Sequence, residues 1–133
     1  MKYLFFAALL FVFTGSTCHK TTSTATANTK QAGNCFKARL EIKGICMNYV
    51  IKVLEGDTSK LHIEQQWKDE TDGKAYTNVF ALGSRCSFPD LAEGETFYFT
   101  VMQADDAHCN VCLAYRPVPA AKNNIIVTNE PCP

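Results

Sequence analysis

The chain has 133 residues, with 13 basic and 13 acidic side chains and no net charge. It therefore lacks the electrostatic footprint that nucleic acid or an anionic lipid surface requires. At 47% hydrophobic and 20% charged residues the composition is that of a folded domain, and the length allows a single core of real size.

Met1-Lys2 is followed by an unbroken apolar block, Tyr3–Phe13, and then by the small residues Thr14-Gly15-Ser16-Thr17. A basic residue, a short apolar run and small residues are the layout of a secretory signal peptide. The block is shorter than the roughly 20 apolar residues of a spanning helix. Cys18 comes next, and Gly15-Ser16-Thr17-Cys18 resembles a relaxed form of the motif at the modified cysteine of bacterial lipoproteins, with Gly15 where Leu is usual. The resemblance implies a signal peptide over 1–17, lipid attachment at Cys18, and a protein of the bacterial cell envelope held to its membrane. The other reading is ordinary cleavage between Ser16 and Asn28, where Ala25-Thr26-Ala27 supplies the small-residue pattern. That would leave a periplasmic or secreted protein without lipid. Residues 18–34 are rich in Thr and lack large apolar side chains, so they cannot offset chain entropy by burial. They read as a flexible tether with a mean span of about 20–24 Å.

The rest, 35–133, reads as one β-domain. Phe36, Ala38, Leu40 and Ile42 alternate with Lys37, Arg39, Glu41 and Lys43, the period of a half-buried strand. Asn48–Leu54 is rich in β-formers and stops at the turn cluster Glu55-Gly56-Asp57. Leu61–Trp67 alternates again, and Asp72-Gly73 is a tight-turn dipeptide leading into Ala75–Leu82. Thr96–Met102, Leu113–Val118 and Ile125–Thr128 complete about seven predicted strands. No window has helical periodicity with caps. The predicted fold is all-β, a small barrel or a sandwich of six to seven strands.

Ala38-x-Leu40-x-Ile42-x-Gly44 and Tyr49-x-Ile51-x-Val53-Leu54-Glu55-Gly56 resemble the opening strands of netrin-like domains, which are OB-type barrels. Ser84-x-Cys86 and Leu91-x-Glu93-Gly94-x-x-Phe97-Tyr98 are similar to their segment of Cys, Leu and Gly before an aromatic strand. The resemblance implies an OB-type barrel. It does not carry over the zinc chelation by which metalloproteinase inhibitors of that family act, because that needs an N-terminal cysteine and Cys35 stands behind the tether.

Seven cysteines make an odd set. With Cys18 lipidated, Cys35, Cys46, Cys86, Cys109, Cys112 and Cys132 remain as an even set suited to disulfides in an oxidising compartment. Cys35 and Cys132 bracket the domain and are expected to tie its ends. The only compact motif is His108-Cys109-Asn110-Val111-Cys112. Haem attachment requires the histidine after the cysteine pair. A thioredoxin-type pair requires a helix start, which Leu113-Ala114-Tyr115-Arg116-Pro117-Val118-Pro119 cannot provide. Zinc requires a second ligand pair, and the other cysteines are scattered singly. Asp105 and Asp106 add oxygen donors beside His108. Structural disulfides are the expectation, with metal binding and thiol–disulfide exchange at Cys109 and Cys112 as alternatives. His62 falls on the polar phase of its strand. Trp67, Tyr76, Tyr98 and Tyr115 are candidates for an aromatic binding face or for core packing. No catalytic constellation is found. The expectation is an exported, lipid-anchored, non-catalytic module for a protein or glycan ligand, with no cofactor and no nucleic-acid partner.

Overall fold

The protein is described here by a computed structural model, which covers residues 34–103, 108–110 and 112–132. The apolar leader, Cys18 and the tether up to Gly33 lie outside the described residues, as do Asp105, Asp106 and Val111.

Strand β1 (Cys35–Lys43) buries alternate residues as its sequence period requires, with Phe36, Ala38 and Leu40 fully inside. It is followed by a 3-10 turn at Ile45–Met47 and by β2 (Tyr49–Glu55). Then come β3 (Glu64–Lys68), β4 (Ala75–Leu82), β5 (Thr96–Met102) and β6 (Lys122–Thr128). All six form one sheet in the order β2-β1-β5-β6-β4-β3, and β2 also pairs with β4. The sheet therefore returns on itself, which settles the architecture against two stacked layers.

With β3 set aside, β5-β1-β2-β4 is the 4-1-2-3 order of a Greek key, and β6 completes a five-stranded ring. The ring is only partly closed, so the sheet is not a clean barrel. Its closure is short. Three residue pairs join β2 to β4, and two parallel pairs join β4 to β6. Strand β3 stands outside the ring as the second arm of a hairpin with β4.

The interior is filled by Leu40, Ile51, Leu82, Ile125 and a run of aromatic rings. Phe36 stacks on Phe99 at 5.0 Å between centroids, Phe80 lies 5.9 Å from Phe99, and Phe88 meets Phe97 edge-on. A register shift between Leu40 and Ile42 bulges β1. Ile42 then joins Val50 and Val79 in a second, smaller cluster, covered by Trp67, Tyr76 and Val118.

Two predicted elements differ. The strand over Leu61–Trp67 begins only at Glu64, because the main chain at His62 is held by a side chain instead of a neighbouring strand. Asn123 accepts from His62 N at 3.0 Å and donates to His62 O at 2.7 Å. Leu113–Val118 is not a strand. The segment runs from Cys112 to Pro119 without a turn or a bend, but among the described residues nothing pairs with it as a ladder. Pro117 and Pro119 lack the N–H a ladder needs and hold Arg116 and Val118 extended.

Candidate functional site

The sheet has two unlike ends. At one, Cys35 and Cys132 are bonded, joining the start of β1 to the C-terminal segment. At the other, Cys46 bonds Cys112 and Cys86 bonds Cys109. These two bridges fasten the β5–β6 connection to the 3-10 turn after β1 and to the turn after β4. Cys109 and Cys112 are thus not bonded to each other, and neither offers a free thiol as the structure stands. The bonded cysteines line a cleft of about 400 Å³ together with Met47, Arg85, Phe88 and Asn110. Exposed His108 borders an adjoining hollow of about 440 Å³ beside Cys86, Cys109 and Asn110. Among the described residues no group of three or more His, Cys, Asp or Glu is placed to hold a metal.

The backbone at this end is held in an uncommon conformation. Cys46 and Met47 both have positive φ, 55° and 56°, which for non-glycine residues costs on the order of 1–3 kcal/mol each. What fixes the turn is Asn48. Its buried amide donates to Ile45 O at 2.8 Å and to Ala114 O at 2.9 Å, and its oxygen accepts from Arg85 at 3.2 Å. One side chain thereby joins the turn, the 112–119 segment and the turn after β4.

A second brace lies further along the same segment. Arg116 donates to Asp69 at 2.6 Å, where Asp69 is fully buried between β3 and the hairpin turn. Burial by itself pushes the Asp69 carboxyl up. Hydrogen bonds from the Thr71 main chain and hydroxyl, together with the Arg116 guanidinium, outweigh it and hold the carboxyl below its ordinary range. Neither Asn48 nor the Asp69–Arg116 pair was foreseen from the sequence. Asp69 and Arg116 are 47 residues apart, and no periodicity connects them.

The aromatic candidates do not assemble into one face. Trp67 and Tyr76 are cross-strand partners with ring centroids 5.7 Å apart, and they cover the Ile42–Val50–Val79 cluster. Burial raises the Tyr76 phenol. Tyr98 pairs with Lys37 on the β1–β5 wall, whereas Tyr115 follows Cys112 by three residues and stands exposed. His62 is exposed.

No protein-family model matches the chain, and no curated protein or solved structure matches it either. The class that fold and cross-links define is an all-β domain stapled by three disulfides, which fits an oxidising, extracellular or envelope environment.

Proposed function

We propose that this chain is an exported lipoprotein whose β-domain is a non-catalytic binding module held to a membrane through Cys18. The observation that supports it most is the cysteine pairing. All six cysteines from Cys35 to Cys132 are used in three bridges, so Cys18 is the single one left over, and it directly follows an apolar block and small residues. An acylated cysteine needs no disulfide partner. More than one acyl chain gives stable anchoring, at about 0.8 kcal/mol per buried methylene.

The same pairing weighs against an oxidoreductase. Such an enzyme cycles one C-x-x-C pair between dithiol and disulfide, whereas Cys109 and Cys112 are each committed to a different distant partner. The braced loops at that end suit recognition, because their shape is set before a ligand arrives.

The test is acylation. Produced in a bacterial host with labelled fatty acid, the wild type should take up label and partition into detergent, and Cys18→Ser should do neither. Recovery of the wild type as an unlabelled soluble protein that begins beyond Cys18 would overturn the anchor.

A further inference from the structure

Two bridges meet at one end of the sheet, and they share a cleft. Cys46–Cys112 and Cys86–Cys109 both line the hollow of about 400 Å³ beside Met47, Arg85, Phe88 and Asn110. In each bridge one member is exposed, Cys112 or Cys109, and the other is half-buried. Both members of Cys35–Cys132, at the opposite end, are half-buried. Cys109 and Cys112 therefore give a thiol from solvent its readiest approach. Among the described residues the lining of this cleft has a cation, Arg85, and no carboxylate. Such a setting favours thiolate over thiol.

The two exposed members stand three positions apart in the chain, whereas their present partners are 66 and 23 residues away. A Cys109 thiolate, once freed, stays tethered beside the Cys46–Cys112 bridge. Its attack there is intramolecular, at an effective concentration no separate thiol matches. The backbone favours release of Cys46. Cys46 and Met47 hold φ of 55° and 56°, a region that disfavours residues with a side chain, and the bond to Cys112 is one of the ties that keep them there.

We propose that this cleft is a thiol–disulfide exchange site for an external dithiol, at which the two bridges become one, Cys109–Cys112, and Cys46 and Cys86 are left as thiols. One thiolate of the dithiol attacks the Cys109 sulfur, and Cys86 leaves as a thiolate into the cleft that Arg85 lines. The second thiolate of the dithiol closes onto the first sulfur, which gives the oxidised cyclic disulfide and releases the Cys109 thiolate. Cys109 then attacks the Cys112 sulfur, and Cys46 leaves. The two protons of the dithiol end on Cys86 and Cys46, and its two electrons reduce a net single disulfide. This is one change of state, not turnover. It unties the β5–β6 connection from both turns, while Asn48 still holds Ala114 and Asp69 still holds Arg116. That a ligand is met at this end rests on the binding reading above, but the exchange does not.

The experiment treats the folded wild-type chain and Cys18→Ser with equimolar dithiothreitol, traps thiols with iodoacetamide, and places labels and bridges by peptide fragmentation. Label on Cys46 and Cys86 in equal amounts is expected, with a new Cys109–Cys112 bridge and an intact Cys35–Cys132. Label at Cys18 of the wild type would report a failed anchor and leave this pattern as it is. In Cys46→Ala with Cys112→Ala the relay has no second bridge, so Cys86 and Cys109 should be labelled instead. In Cys86→Ala with Cys109→Ala no internal thiolate forms, and Cys46–Cys112 should open about tenfold more slowly or worse. Label on Cys86 and Cys109 in the parent, label on Cys35 or Cys132, no label on any of the six, or equally fast opening of Cys46–Cys112 in the second double variant would each overturn the inference.

Discussion

Asn48 is buried, and its side chain satisfies two main-chain carbonyls and one guanidinium drawn from three separate segments. Asn48→Ala would leave those groups with fewer partners and untie the three segments. The expected loss is about 2 kcal/mol, or roughly 8–16 °C in Tm for a domain of this size, measured by thermal unfolding. Amide exchange near Ala114 should quicken in the same variant, because its carbonyl loses the brace. The Asp69–Arg116 pair makes a different prediction, in pH. The folded carboxyl lies below its ordinary value of 3.8, so the native state binds fewer protons than the unfolded chain in acid. Its stabilising share is full above about pH 4 and is lost as pH falls through the folded value. Asp57 and Asp90 are also depressed, by Ser59 and by Lys43, but both stand in solvent and their share is small. Asp69→Asn should therefore flatten the acid limb of a Tm–pH curve, while Arg116→Met should lower stability by about 3 kcal/mol at pH 7 by leaving a buried charge unpaired. An unchanged acid limb in Asp69→Asn would assign acid unfolding to other carboxylates.

At the scale of elements, a strand was legible wherever one face of it is buried. The alternation over Phe36–Lys43 marks β1 because every second side chain enters the ring, and the aromatic run in Thr96–Met102 marks β5 for the same reason. The period failed where side chains replaced strand neighbours. At Leu61–Ile63 the pairing comes from Asn123, and in Leu113–Val118 a β-like pattern is spent on solvent. The candidate site was less legible still, because disulfides and the Asp69–Arg116 pair join residues whose separation carries no signal. Turn chemistry was readable: Gly56 ends β2 with φ +123°, and a Cβ there would lie 2.5 Å from the Phe36 ring. Gly56→Ala combines a strained backbone with a clash against the main core. It should cost about 2 kcal/mol or more, seen as an earlier urea midpoint with little change in slope.

On the scale of the whole molecule, the three bridges divide the work between two poles. Cys35–Cys132 closes the chain over 97 residues at the pole where the tether joins, and the other two close 66 and 23 residues at the loop pole. If cross-links act mainly by restricting the unfolded chain, stabilisation grows with the logarithm of loop length, giving about 4.7, 4.3 and 3.4 kcal/mol in that order. Paired Cys→Ser variants should therefore rank with Cys35–Cys132 the most destabilising and Cys86–Cys109 the least, as measured by guanidinium unfolding. Local opening should rank differently. Removing Cys35 and Cys132 frees the ends of the domain but leaves Asn48, Arg116 and both loop bridges in place. Removing Cys46 and Cys112 releases the 112–116 segment and the 3-10 turn from each other, so opening is confined to the loop pole. The second variant should thus exchange the Asn48 main-chain amide, which donates to Ile45 O at 3.1 Å, faster than the first despite being the more stable of the two. Exchange that simply follows global stability across the three variants would mean that the loop bridges serve the fold alone.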